Sequence, residues 1–222
     1  MINFKYLFLV IIIFLLSSCA KEPEKISNIK KTSQEMELIN SYSEAYKMLD
    51  QNDPYTAANK FLEAELLFPQ SSWAPQSALM ASYSYYLQNY YVEALSNLER
   101  YLKTYPNHKN INYAHYLIAM CYYEMIEDEK RDAEPLIKAK LKFNYILETY
   151  PNTDFALDSK FKLDLIEDIL ASKEMYIGRH YQKKSKWIPA INRFKYVVES
   201  YDETIFIEEA LHRLVEINYK IG

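Results

Sequence analysis

Apolar residues recur every three or four positions from Ser33 onward, without a sustained alternation of apolar and polar residues. A spacing of three or four places apolar side chains on one face of an α-helix, whereas alternation is typical of a half-buried strand. The pattern therefore predicts an all-α protein over residues 33–222.

One arrangement of small, large and apolar residues recurs along these predicted helices. A small residue is followed four positions later by a large apolar residue, then after three by another apolar residue, and after five by a proline just beyond the helix end. The sets are Ala57, Phe61, Ala64 and Pro69; Ala94, Leu98, Tyr101 and Pro106; Ala139, Phe143, Ile146 and Pro151; and Ala190, Phe194, Val197 and Asp202, where aspartate replaces the proline. A second amphipathic segment precedes each set, so the chain resembles a tetratricopeptide-repeat solenoid of helix pairs.

The capping residues and prolines between the sets predict about five helix-turn-helix repeats, the last of them incomplete. Their predicted bounds are residues 33–69, 75–106, 111–151, 154–202 and 205–222. Asp53 and Pro54 are expected to begin a helix as N-cap and first residue, and Ser185 is expected to cap the helix that carries Trp187. No helix breaker interrupts Thr153 to Ile177, which predicts one long helix that bridges two halves of a superhelix.

The first eighteen residues have the pattern of a secretory signal. Lys5 precedes a short apolar run, and the run ends in Leu16-Ser17-Ser18-Cys19. This ending resembles the lipobox of bacterial lipoproteins, which implies a signal peptide over residues 1–18, an acylated Cys19 and a flexible linker over residues 19–32. An ordinary signal peptide that happens to end at a cysteine is the alternative. Ala20, in place of aspartate, favours delivery to the outer membrane.

Composition excludes several functional classes. Two glycines, Gly178 and Gly222, are too few for a dinucleotide-binding fingerprint or a phosphate-binding P-loop. A formal charge of -4 and a pI near 5.7 disfavour a nucleic-acid partner, because such proteins usually present a basic face.

We find no catalytic or metal-binding pattern. Cys121 lies in an apolar context and is interpreted as a buried structural thiol. The four histidines, His108, His115, His180 and His212, show no ligand spacing for zinc. Adjacent carboxylates such as Glu208 and Glu209 point in different directions on a helix. We therefore expect no enzyme activity, metal or cofactor.

Several longer stretches resemble the BamD family of outer-membrane assembly lipoproteins. They are Tyr105-Pro-Asn-His-Lys-Asn-Ile-Asn-Tyr113, Tyr150-Pro-Asn-Thr-Asp-Phe-Ala-Leu-Asp158, Ala171-Ser-Lys-Glu-Met-Tyr-Ile-Gly-Arg-His-Tyr181, Ala190-Ile-Asn-Arg-Phe194 and Glu209-Ala-Leu-His-Arg-Leu-Val215. The resemblance implies a scaffold of the β-barrel assembly (BAM) complex, anchored by lipid to the periplasmic face of the outer membrane. It also implies that the chain docks the POTRA domains of BamA and receives unfolded barrel proteins; other BAM lipoproteins stay open as partners.

The resemblance also assigns roles to individual residues. The arginine of the Asn-Arg pair in the fourth repeat contacts BamA in the family, and here that pair is Asn192 and Arg193, with Trp187 expected beside it. An internal ion pair is the alternative role for Arg193. Tyr46, Phe68 and Tyr86 are the candidates for a groove that receives the targeting strand of barrel proteins.

Two rival interpretations remain at this point. A tetratricopeptide lipoprotein could serve another envelope machine, such as one for secretin assembly. An envelope enzyme such as a lytic transglycosylase would need a catalytic domain with an isolated glutamate, which the sequence up to Gly222 does not provide. The predicted last helix, Ile207 to Ile221, has an apolar face for which BamA or a further segment of chain would be the cover.

Overall fold

A computed structural model describes residues 25–126 and 133–222, and within these ranges the chain is helical without strands. The helices are α1 (Lys25–Asp50), α2 (Pro54–Leu67), α3 (Ala74–Leu87), α4 (Tyr91–Thr104), α5 (Ile111–Glu124), α6 (Glu134–Thr149), α7 (Asp154–Lys183), α8 (Trp187–Ser200) and α9 (Ile207–Ile221). Each helix packs against the next along the chain, with additional contacts between α3 and α5 and between α5 and α7. This is the predicted all-α repeat solenoid.

Consecutive helices pair along the described part of the chain. The pairs α1–α2, α3–α4, α5–α6 and α7–α8 form four repeats, and α9 stands as the first helix of a fifth. Helix α1 begins at Lys25, so it extends into the segment predicted as a linker. Residues 127–132, between α5 and α6, lie outside the described residues.

The predicted stripe of each second helix is fully buried. All twelve of its residues have zero relative exposure: Ala57, Phe61, Ala64, Ala94, Leu98, Tyr101, Ala139, Phe143, Ile146, Ala190, Phe194 and Val197. Alanine at the first position lets the two helices of a pair approach closely, and the large residue one turn later fills the space between them. The stripe is therefore the element that builds the core.

Local sequence determines where several helices begin. Asp53 caps α2, since its Oδ1 accepts a hydrogen bond from the Thr56 amide at 3.2 Å and Pro54 follows at the first helical position. Thr153 caps α7 in the same way through the amide of Ala156.

The predicted cap at Ser185 is wrong. Helix α8 has Lys186 at its N-cap position, without a side-chain cap. Ser185 adopts a left-handed backbone with φ of 55°, and Asn52 and Asn89 do so with φ of 60° and 61°. Ser185 lies in the tight turn inside the fourth repeat, and Asn52 and Asn89 lie in the equivalent turns of the first and second repeats. A capping serine needs an extended backbone, which this turn does not permit.

Helix α7 is the long helix expected from Thr153 onward. Its 30 residues span about 45 Å at 1.5 Å per residue. Its buried apolar residues, from Ala156 to Met175, belong to one core cluster that also contains Phe143 of α6 and Phe194 of α8. The helix therefore joins the third and fourth repeats through a continuous apolar core.

A buried carboxylate ties the first repeat to the second. Glu65 of α2 is 4% exposed. Arg100 of α4 donates two hydrogen bonds to it, at 2.7 and 2.6 Å, and the Tyr105 hydroxyl donates a third at 2.8 Å. Paired donors satisfy the buried charge, which would otherwise carry a large desolvation cost.

Gly178 allows α7 and α8 to approach each other, which yields a first prediction. A Cβ at this position would lie 2.5 Å from Cε1 of the buried Phe194 ring. We expect Gly178→Ala to destabilise the protein, because overpacking costs about 1–3 kcal/mol and exceeds the helix-propensity gain of up to ~1 kcal/mol. Urea unfolding followed by circular dichroism measures the change.

Ser172→Ala in the same helix is the control, since it removes a hydroxyl without adding volume. An unfolding midpoint for Gly178→Ala that equals or exceeds the wild-type value would contradict this account of the contact between α7 and α8.

Candidate functional site

Arg193 lies on α8 and makes an ion pair across to α7. Its Nη1 donates a hydrogen bond to Oε2 of Glu174 at 2.8 Å. The Arg193 side chain is 43% exposed, whereas that of Glu174 is 14% exposed. The internal ion pair, one of the two roles considered for Arg193, is therefore present, and it leaves much of the guanidinium accessible to solvent.

A shallow cavity of about 310 Å³ surrounds the exposed part of Arg193. Its lining residues are Tyr181, Pro189, Asn192, Arg193 and Tyr196. Hydrogen bonding to Glu174 is the largest cause that raises the pKa of Arg193 above its usual value. A guanidinium has five N–H donors in a planar fork, so a group held by Glu174 at one nitrogen retains donors for a second carboxylate.

The structure brings two of the three predicted docking residues together. Asn192 and Arg193 line the same cavity, and Asn192 is exposed. Trp187 begins α8 and lies elsewhere, partly buried against the core cluster that contains Phe194. Trp187 and Arg193 are six positions apart, and on a helix this spacing places the two side chains on different faces.

A larger cavity, of about 750 Å³, lies among the first three repeats. It is lined by Tyr42, Ser72, Trp73, Pro75, Gln76, His108, Lys109 and Asn110. Trp73 is 40% exposed there, although it is a large aromatic residue. Such a cavity combines aromatic surface with several polar groups, which suits an extended peptide.

Contacts between aromatic rings and hydrogen bonds through Gln76 hold the walls of this cavity together. The Tyr42 ring packs edge-on against Phe61 and against Trp73, each with centroids 5.1 Å apart. Burial raises the pKa of Tyr42, while its hydrogen bond with Gln76 acts in the opposite direction. Asn110 donates to Oε1 of Gln76 at 3.0 Å, so groups from three repeats converge.

The predicted substrate residues do not form a single groove. Tyr46 is half exposed and packs against Tyr42 with a centroid separation of 6.4 Å. Phe68 ends α2 as its C-cap, and Tyr86 lies between the rings of Tyr83 and Tyr91. Tyr46 is therefore near the large cavity, whereas Tyr86 contributes to the packing of the second repeat.

Sequence reasoning missed Trp73, Gln76 and Asn110. They lie in or beside the turns between repeats, where helical periodicity carries no information. A tryptophan directly before the proline-containing start of α3 was the available signal, because such a large ring is rarely placed in a turn without a packing partner.

Burial explains the environment of Cys121. Cys121 is fully buried, and burial raises the pKa of its thiol to about 12. This confirms the interpretation of a structural thiol. Among the described residues, histidine, cysteine and carboxylate side chains form no group of three that could hold a metal ion.

Cys19 and the rest of the predicted signal lie outside the described residues. Among residues 25–126 and 133–222, none of the helices combines the length and apolar character needed to cross a membrane.

The stacked helix pairs, with open cavities beside Arg193 and Tyr42, have the architecture of a tetratricopeptide-type scaffold. The model of the YfiO family, described as an outer membrane lipoprotein, matches residues 34–222. The chain belongs to this family.

Curated relatives agree with the family match. The outer membrane protein assembly factor BamD of Caulobacter vibrioides is 37% identical over 206 residues, which cover 93% of this chain and 67% of the relative. The factor of the same name from Rickettsia prowazekii is 39% identical over 181 residues, covering 82% and 72%. That from Neisseria gonorrhoeae is 31% identical over 218 residues, covering 92% and 80%.

The buried thiol yields a second prediction. In a polypeptide that begins at Ala20, Cys121 is the remaining cysteine, and we expect it to resist Ellman's reagent at mildly alkaline pH. The raised pKa keeps the sulfur protonated in the folded state, and burial blocks access. Stoichiometric reaction should follow denaturation in guanidinium. Rapid labelling of the folded protein would contradict the assigned environment.

Proposed function

We propose that this chain is a non-enzymatic scaffold lipoprotein of the outer-membrane β-barrel assembly complex. In this role it docks the POTRA domains of BamA and assists the folding and insertion of barrel proteins. The observation that carries the proposal is an exposed arginine fixed by a carboxylate at the edge of a cavity, in a chain of this family. Relatives that carry the name assembly factor BamD support the same role.

The docking step rests on the guanidinium of Arg193. Glu174 restricts its orientation before a partner arrives, which lowers the entropy lost on binding. A carboxylate of the POTRA region would then receive two N–H donors in a planar arrangement that lysine does not offer. Asn192 and the two tyrosines of the same cavity, Tyr181 and Tyr196, supply the surrounding contacts.

The substrate step rests on the cavity beside Tyr42. Unfolded barrel proteins expose extended segments rich in aromatic residues, and Trp73 offers a ring for stacking while Gln76 and Asn110 offer amide groups. Tyr46 extends the same aromatic surface along α1. This assignment replaces the dispersed groove expected from Phe68 and Tyr86.

Membrane attachment completes the proposal. Acylation of Cys19 would hold the chain to the periplasmic face of the outer membrane, with the following residues as a tether. Both cavities would then be reachable by proteins that arrive through the periplasm.

Reversing the charge at Arg193, alone and together with Glu174, distinguishes docking through Arg193 from a purely internal role of this residue. We expect Arg193→Glu to weaken binding of the purified BamA POTRA region at least tenfold, about 1.4 kcal/mol, by isothermal titration. The double variant Arg193→Glu/Glu174→Arg restores an internal ion pair but presents a different charge to the partner. It should stay defective in binding while its unfolding midpoint recovers.

Recovery of POTRA binding in the double variant would contradict docking through Arg193, because only the internal ion pair would then matter. Arg213→Glu is a control on α9, where Arg213 makes ion pairs with Glu209 and Glu216 away from this cavity.

The substrate cavity is tested separately. We expect Trp73→Ala to weaken binding of a peptide copied from the last strand of a barrel protein about tenfold, or ~1.4 kcal/mol, because a stacking ring is removed. Fluorescence anisotropy measures the affinity. Tyr90→Ala is the matched control, since Tyr90 is 44% exposed and lies outside the cavity lining. Equal loss in both variants would contradict the assignment.

A further inference from the structure

Helix α6 of the third repeat carries apolar residues on its exposed side. Ile137, Leu141 and Tyr145 are 51%, 64% and 41% exposed, and they follow one another at a spacing of four. They lie on the side opposite the buried stripe that contains Phe143. The core therefore does not explain why these positions are apolar.

A cavity of about 570 Å³ runs beside this stripe, between α5 and α6. Its lining residues are His115, Tyr122, Lys138, Leu141, Lys142 and Tyr145. The cavity is separate from the Arg193 cavity and from the one beside Tyr42, with which it shares no lining residue.

Aromatic rings line this cavity and pack beside it. The His115 ring lies 4.8 Å from that of Tyr145 and 6.0 Å from that of Tyr150, and the two tyrosine rings are 6.2 Å apart. Burial, with a smaller effect of Lys142, lowers the pKa of His115, so the imidazole is neutral near pH 7. An aromatic surface of this kind can pack against an apolar side chain of a partner.

The charged side chains that line the cavity are basic, in contrast to the net charge of the chain. Its lining contains two lysines and no carboxylate, although the whole chain carries a formal charge of -4. Lys138 pairs with Glu134 at 2.7 Å and lies 5.7 Å from the Tyr122 ring centroid. Lys142 follows one helical turn later, so the two lysines run along one side of the apolar stripe.

We propose that this groove, defined by the six lining residues, docks an acidic amphipathic segment of a partner protein. The apolar side chains of that segment lie over Leu141 and Tyr145, and its carboxylates reach Lys138 and Lys142. Charge complementarity selects this partner over a basic or neutral one. Lysines at fixed positions beside the apolar stripe favour a protein segment, whose carboxylates also have fixed positions, over a membrane surface.

The probe is a synthetic helical peptide with leucine and phenylalanine on one face and glutamates beside that face. A second peptide has lysine in place of each glutamate. Fluorescence anisotropy measures the binding of each to the full chain in detergent. We expect only the acidic peptide to bind, and we expect Leu141→Glu and the double variant Lys138→Glu/Lys142→Glu to weaken its binding at least tenfold.

Helix α7 offers a matched control. Leu157 is 61% exposed, close to the 64% of Leu141, but Asp158 follows it where Lys142 follows Leu141. Leu157→Glu should bind the acidic peptide as the wild type does. Arg193→Glu should also bind it normally, so this test and that of the proposed function can fail independently.

Three outcomes would overturn the proposal. The first is equal binding of the acidic and basic peptides, and the second is equal affinity of the Leu141→Glu and Leu157→Glu proteins. In the third outcome, the chain binds neither peptide but associates with phosphatidylglycerol vesicles, and Leu141→Glu abolishes this association. That result would assign the groove to the membrane surface.

Discussion

The fold depends on one close approach that is repeated in each helix pair. An alanine near the start of the second helix and a large apolar residue one turn later are both fully excluded from solvent. The alanines are Ala57, Ala94, Ala139 and Ala190. Because each pair buries only part of its apolar surface, neighbouring pairs must stack to cover the rest. The same constraint leaves the opposite faces of the helices available for partners.

The sequence predicted most of the fold, because the determining signals are local. The spacing of small and large residues identified the second helix of each pair, and Asp53 with Pro54 identified the start of α2. Ser185 misled the prediction, since its residue type suits an N-cap while the tight turn requires a left-handed backbone. The early start of α1 at Lys25 was also missed, because the first residues of this helix are mostly polar and lack a clear apolar periodicity.

The candidate sites were less predictable, since they depend on residues far apart in sequence. The ion pair between Arg193 and Glu174 spans two helices, and only its arginine was singled out in advance. The cavity beside Tyr42 joins residues of α1 and α3 with residues of the turns between repeats, including Trp73 and Asn110. Local periodicity cannot reveal such contacts. The buried Glu65 was missed for the same reason, because its partners lie in the next repeat.

The central claim is that this scaffold works in outer-membrane barrel assembly. The most direct measurement is purification of the tagged lipoprotein from gently solubilised outer membranes of its own bacterium, with quantitative mass spectrometry of the proteins that accompany it. The account predicts a barrel protein with POTRA domains at constant stoichiometry. Recovery of a secretin or of cell-wall enzymes at constant stoichiometry, without a POTRA-containing barrel, would contradict it.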